Sequence, residues 1–309
     1  MNIQNKKILI TGGNGFLGSA LAKFFVNNGC KVLVISRHSH NLADVMHRIR
    51  FVKLNGDSYY EIKESILEFS PDYVIHSAWD GGNSHANVND INQFTKNFSL
   101  TFSILDIIHL LDEKPMFVGV GSFAEYGIID RQATEEDLEN PTNFYGLSKL
   151  TANRMSKLFC EKNNIKWTWV RPCYIYGPND VTTRIIPTVI NSLLDNKQIN
   201  LDSCNVTVDY LYINDFCEAV YTIINQDLEG IFNICSGNEY NLRTIVELLY
   251  KLTLPYEVAP IFGPQRNRID SPIYVCGSNS KLKHFGWNSK YELYMGIVDT
   301  VNYYKNLRV

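Results

Sequence analysis

Apolar residues along this chain gather into short runs that alternate with longer stretches of helical spacing. "KKILIT" (Lys6 to Thr11) is an apolar run with β-branched residues, ended by Gly12 and Gly13. In "FLGSALAKFFVNNG" the positions Leu17, Leu21, Phe24 and Phe25 recur at helical spacing, and Gly29 stops the pattern. "KVLVIS" predicts a second strand. The alternation continues through "RFVKLNG", a helix around Tyr60 to Phe69, "DYVIHSA", a long helix from about Val88 to Leu111, and "MFVGVGS". Strand-length apolar runs separated by helices predict a parallel sheet covered on both faces and joined by right-handed crossovers, the doubly wound α/β class.

After a helix that opens at Tyr145 and the strand "KWTWVRP" the rhythm changes. "RIIPTVINSLL", "VDYLYINDF", "IFNICSG" and "LRTIVELLYKL" are shorter elements with longer connections, and the region around "FGPQRNRIDSPIYVCG" is loop-rich. The pattern predicts a larger α/β domain over residues 1–177 and a smaller α/β carboxy-terminal lobe mainly over 178–309. Their junction is expected near Gly177–Asn179, with the chain crossing back around 205–235. There is no internal repeat and no low-complexity segment.

The 309 residues suffice for a large core, and composition adds mainly exclusions. With 45% hydrophobic and 20% charged residues and a net charge of −3, the chain carries no basic footprint for nucleic acid. No run approaches the ~20 apolar residues of a membrane helix, and the amino terminus lacks a signal-peptide core. A cytoplasmic protein acting on a small soluble ligand is expected. Seven cysteines stand singly with no CxxC pair, which predicts reduced thiols that mostly fill the core and no metal site; His38 and His40 have no third ligand nearby in sequence.

"TGGNGFLG" places Gly12, Gly15 and Gly18 between the first strand and the first helix. Glycines there let the backbone approach a pyrophosphate, whose charge is met by N–H groups at the helix start, so a dinucleotide is the expected cofactor. At the end of the second strand an NAD site usually offers a carboxylate to the ribose; this chain offers Ser36 and Arg37. A missing acid and a present base favour NADP(H), with NAD(H) as the alternative. Asp57, after the third strand, is placed to accept from an adenine amino group, or is a plain turn residue.

In "NFYGLSK" Tyr145 and Lys149 sit at i and i+4 on one helical face. A nearby ammonium favours the phenolate and lowers the tyrosine pKa, as a general acid/base requires. Ser122 ends the strand of "VGVGS", at the sheet edge that faces the ligand crevice, where it would hydrogen-bond the oxygen that Tyr145 protonates.

The ordered series "TGGNGFLG", Gly56–Asp57, "VIHSA", Asn97 to Thr101, "GS...YG", "YGLSK", "RPCYIYGP", "DYLYINDF" and "SKLKHFGW" covers nearly the whole chain. It resembles the extended short-chain dehydrogenase/reductases, the NAD-dependent epimerase/dehydratase family of sugar-nucleotide enzymes. The resemblance implies a Rossmann-like fold with a small substrate lobe, and a triad of Ser122, Tyr145 and Lys149 in which Lys149 also holds the nicotinamide ribose. Phe16, Leu17, Ser77, Ala78 and Asn97 join the implied cofactor contacts. Trp79 and Asp80, just past the fourth strand, border the implied sugar site with Phe123 or are loop residues only, and Arg184, Arg266 and Arg268 lie toward the diphosphate. Arg171 is either part of the segment leading to the sugar nucleotide or a buried ion-pair partner. Two departures stand out: Leu100 replaces a usual glycine, and Val208 replaces an arginine often found before the aspartate of "DYLYIND".

In the family's dehydratases an acid pair directly follows the hydroxyl residue, and its uronic acid decarboxylases place a glutamate at the second of those positions. This chain has Phe123 and Ala124, which cannot act as acid or base. Glu125, one position on, is expected to be structural. Hydride transfer plus one proton remains, and the pattern looks closest to reductases of nucleotide-linked 4-keto-6-deoxyhexoses in O-antigen and glycoside pathways. A 4-epimerase and a non-catalytic NADP(H) sensor are the alternatives. A homodimer is expected through the helix over 88–111 and the Tyr145 helix, although the same apolar positions would also suit packing against the sheet.

Overall fold

The computed structural model describes residues 3–81, 88–254, 258–264 and 272–308. In chain order the first elements are β1 (Lys7–Thr11), α1 (Phe16–Asn27), β2 (Lys31–Ser36), β3 (Arg50–Lys53), α2 (Lys63–Phe69), β4 (Tyr73–His76), α3 (Asn92–His109), β5 (Met116–Val120), α4 (Phe144–Lys162) and β6 (Trp167–Pro172). There follow β7 (Tyr174–Tyr176), α5 (Ile185–Leu194), β8 (Thr207–Val208), β9 (Tyr210–Tyr212), α6 (Ile213–Asn225) and β10 (Gly230–Ile234). The chain closes with β11 (Tyr240–Asn241), α7 (Leu242–Thr253), β12 (Tyr274–Val275), α8 (Ser280–His284) and α9 (Leu293–Asn306).

Seven strands form one sheet in the order β10-β6-β5-β4-β1-β2-β3, and every pairing is parallel. Because both faces are covered, the inner strands read as continuous apolar runs, and alternate residues serve opposite cores. Ile8 and Ile10 join α1 and the carboxy-terminal helices on one face; Leu9, between them, joins α3 and α4 on the other. α6 lies against α1, with the Tyr221 ring on Phe24 and Phe25, and leads into β10 beside β6. The small lobe holds a three-stranded sheet (β11-β8-β12), the β7-β9 pair, and α5 packed on α7 and α9.

The chain order reverses between β1 and β4, so a crevice opens at their carboxyl ends, where open α/β sheets bind ligands. β5 stops at Val120, two residues before Ser122, and two helix starts also differ from the sequence pattern. The helix expected from Val88 begins at Asn92, because the Asp90 carboxylate accepts from the Asn92 amide at 2.9 Å and turns the chain first. The helix expected from Tyr60 opens as a tighter turn over Tyr59–Ile62, capped by Ser58, before α2.

Candidate active site

A cavity of about 1120 Å³ runs from the glycine loop to the small lobe, and its walls include Gly12, Gly15, Tyr145 and Arg184. At its cofactor end Gly12 has φ +68°, and a Cβ there would lie 2.6 Å from the Ala78 Cα. A Cβ on Gly18 would lie 2.4 Å from the Gly12 carbonyl oxygen, so both positions require glycine. Gly15 caps α1 with extended backbone and no side-chain hydrogen bond, which leaves the helix N–H groups free of a side-chain cap beside the cavity. These features fit a dinucleotide: a backbone cradle that a side chain would fill, below a helix start that favours negative charge. Asn14 pins the loop after β2 onto this cradle, its Oδ1 accepting from the Asn41 amide and its carbonyl from Asn41 Nδ2, each at 2.8 Å.

Ser122 lies two residues past β5 and caps a short turn, its Oγ accepting from the Ala124 amide at 3.1 Å. Asn143 caps α4 through the Gly146 amide, which sets Tyr145 in the first turn. Burial raises the Tyr145 pKa, against an opposing hydrogen bond with Ser122. Lys149 is buried and donates to the Val120 carbonyl oxygen at 2.7 Å. Its burial lowers its pKa to about 7, opposed by Glu125. The lowering of the Tyr145 pKa anticipated from the i, i+4 spacing is reversed here, because desolvation of the phenol outweighs the opposing Ser122 hydrogen bond and the Arg184 charge.

Glu125 turns away from the cavity. It is fully buried and accepts from the Ser122 amide (2.9 Å), Trp169 Nε1 (2.8 Å), Asn153 Nδ2 (3.1 Å) and Arg171 Nε (2.9 Å). Arg171 also donates to Glu139 at 2.7 Å and lies over the Tyr126 ring, a buried structural ion pair.

Residues 8–235 match the NAD dependent epimerase/dehydratase family. The chain belongs to that family. It is an NAD(P)-dependent oxidoreductase of the extended short-chain dehydrogenase/reductase type, a class of nucleotide-sugar-modifying enzymes. Among its relatives, a dTDP-D-glucose 4,6-dehydratase of Dictyostelium discoideum is 29% identical over 78% of this chain, which spans 60% of that protein. The CDP-abequose synthase of Yersinia pseudotuberculosis is 26% identical over 78% of this chain and 82% of its own length. The GDP-L-colitose synthase of the same organism is 22% identical over 97% and 98%. In fold, the UDP-glucose 4-epimerase of Thermotoga maritima superposes with a TM-score of 0.88 at 22% identity, covering 98% of this chain and all of that one.

Within this family member the structure brings Gly12, Gly15, Phe16, Leu17, Gly18, Ser36, Arg37, Ser77, Ala78, Trp79, Ser122, Phe123, Tyr145, Lys149 and Arg184 to one cavity. Three expected contacts lie elsewhere. Asp57 is exposed and outside the cavity wall, where Leu54 and Tyr59 stand instead. Asn97 is buried: its Oδ1 accepts from the Asp80 amide at 2.7 Å and its Nδ2 donates to the Asp80 carbonyl at 3.0 Å, so it holds the loop after β4. Asp80 is also outside the wall, paired with Arg37 at 3.3 Å and Lys96 at 3.4 Å. Arg266 and Arg268 lie outside the described residues.

Other wall residues escaped the sequence reading. His38 and Asn41, the stretch from Asn200 to Val206, and Arg131, which pairs with Asp137, all line the cavity. No motif marks them. Among the described residues Cys173, Asp209 and Cys235 place ligand-type atoms within 4.8 Å of one another. The Asp209 oxygens already accept from the Ser236 and Gly237 amides at 2.8 Å, and burial raises the Cys173 thiol pKa. No helix among the described residues is long and apolar enough to cross a membrane.

Proposed function

We propose that this enzyme is an NADP(H)-dependent reductase of a nucleotide-linked 4-keto-6-deoxyhexose, supplying a deoxyhexose for surface polysaccharide or glycoside assembly in the cytoplasm. The observation that carries it lies at the three residues after Ser122. Phe123 and Ala124 line the cavity without acid or base, and the Glu125 carboxylate is spent on a buried network. Elimination of water lacks its acid pair there, whereas hydride addition needs one proton donor. Relatives named as CDP-abequose and GDP-L-colitose synthases support a nucleotide-linked sugar product.

When bound, the reduced nicotinamide supplies the hydride to C4 of the sugar. Tyr145, whose raised pKa keeps the phenol protonated at neutral pH, gives its proton to the C4 oxygen as the carbonyl becomes an alcohol. Ser122 Oγ orients that oxygen, and Lys149 holds the nicotinamide ribose and takes up charge beside the phenolate. Arg37, half-exposed on the cavity rim, reads the 2′-phosphate by leaving Asp80. Residues 1–177 hold the cofactor and 178–309 mainly the nucleotide sugar, with β10 returned to the first domain.

The test is NADPH absorbance with a panel of nucleotide-linked 4-keto-6-deoxyhexoses, with NADH in parallel. Stoichiometric consumption with one member is expected. Isomerised sugar without net loss of NADPH would mean a 4-epimerase instead, and cofactor binding with no turnover of any kind would mean a sensor. We further propose a homodimer through α3 and α4. Phe98 and Phe102 are exposed on α3, their rings stacked at 6.4 Å, and Leu147 and Leu158 are exposed on α4, which packs against it. Light scattering should give twice the chain mass, and Phe98→Glu with Phe102→Glu should give one.

A further inference from the structure

Lys149 must keep its ammonium in a place that disfavours charge. Its aliphatic stem and head are buried, and burial is what lowers its pKa. The groups that face it come from several elements. Glu125, in the turn after β5, favours the charge, but its oxygens are shared among Arg171, Asn153, Trp169 and Ser122. His76, on β4, sits between Thr11 Oγ1 at 2.8 Å and Thr101 Oγ1 at 3.1 Å; burial and the nearby lysine lower its pKa to about 3, so it is neutral. Tyr145, one turn earlier on α4, is a neutral phenol at rest. The carbonyl of Val120 takes one N–H of the ammonium.

The remaining neighbour is an indole. Lys149 Nζ stands 3.7 Å from the centre of the Trp79 ring, well inside the range in which a ring face attracts a cation. That ring is fixed on its other sides. Trp79 Nε1 donates to Gln93 Oε1 at 3.0 Å, and Gln93 is buried in the first turn of α3. The indole and the Tyr145 ring stand at right angles, with centroids 6.2 Å apart. Asn97 binds both Gln93 and the backbone of Asp80, so the loop carrying Trp79 is clamped at two points.

We propose that Trp79 is a positioning residue for the proton-transfer pair: its indole face holds the Lys149 ammonium charged and beside Tyr145, and Gln93 holds the indole. This goes beyond a role for Trp79 as a wall of the sugar site, and it rests on Lys149 being the group that assists Tyr145. It predicts that the charge state of Lys149 depends on a side chain that is itself uncharged.

The experiment reads Lys149 directly, without substrate. Protein labelled with ¹³C at lysine Cε is titrated by NMR, with the Lys149 signal assigned from Lys149→Arg. The wild-type Hε protons should be displaced upfield by the indole ring current, with a titration midpoint near neutrality. Trp79→Leu should abolish that displacement and lower the midpoint by about 0.4 to 1.5 pH units, the equivalent of a lost cation–π contact. Trp79→Phe, which keeps a weaker aromatic face, should fall between the two. Wild-type Hε protons without an upfield displacement would overturn the proposal. So would a midpoint that stays or rises in Trp79→Leu, since the ring would then merely shield the lysine from water. Should the leucine variant fail to fold, Trp79→Phe decides alone: a midpoint equal to wild type counts against the idea. Failure of the ketoreductase reading appears separately, as NADPH left unconsumed by the wild-type enzyme, and leaves this titration unaffected.

Discussion

The two ends of the cavity are built by opposite means. At the cofactor end, the strand ends of β1, β4 and β5 each place one piece of the site: Gly12, Ala78 and Ser122 follow their strands by a residue or two. Their positions are over-determined by backbone bonds, close glycine contacts and the Glu125 network. At the small-lobe end, strands of two or three residues alternate with long connections, and the wall comes from loop residues such as Asn200 to Val206. The difference teaches where each property resides. A sheet that must be buried on both faces fixes chemistry rigidly, while short elements leave recognition to loops that vary at little cost to the fold.

That contrast can be broken by substitution. The largest effect should come from Tyr145→Phe, which removes the proposed proton donor but not the cradle: turnover should fall about 10²–10⁴-fold while NADPH binding, followed by fluorescence, stays nearly unchanged. Glu125→Gln attacks the rigid end through stability. It leaves Arg171 buried with Glu139 as its remaining carboxylate, and a loss of about 3–5 kcal/mol is expected in denaturant titration.

His76 should make the same end acid-sensitive. Its folded pKa, about 3, lies below its ordinary 6.5, so its stability contribution is present above pH 6.5 and is lost as pH falls toward 3. Thermal unfolding followed over that range should show the decline, and His76→Gln should flatten it. A smaller effect is expected on the rim, where Arg37→Ala should reduce the proposed preference for NADPH over NADH by about tenfold, read from the ratio of kcat/KM values. Smallest of all, Lys290→Ala removes an exposed pair with Glu218 in the carboxy-terminal half and should change stability by less than about 1 kcal/mol.

The parallel sheet was legible because buried strands and amphipathic helices carry different periods, and "TGGNGFLG" was legible because a tight turn between them admits little besides glycine. Tyr145, Lys149 and Ser122 could be singled out since each lies at a fixed offset from an element end. Asn97 and Asp57 show the limit. Both sit in motif-like positions, yet Asn97 braces a loop and Asp57 faces solvent, because a side chain's target depends on neighbours distant in sequence. The cysteines make the same point: they are isolated along the chain, yet Cys173 and Cys235 meet just past the ends of neighbouring β6 and β10.

The sequence by itself determined the layer order, the glycine cradle and the residue types available for proton transfer, since these follow from local periodicity and from short spacings within single elements. The tertiary structure alone decided how those groups are tuned. Burial raises the Tyr145 pKa and lowers that of Lys149, Arg171 takes up the Glu125 carboxylate, and Trp79 comes to lie over Lys149. Desolvation and charge pairing act through space between residues far apart in the chain, such as Trp79 and Lys149, and no local pattern records that distance.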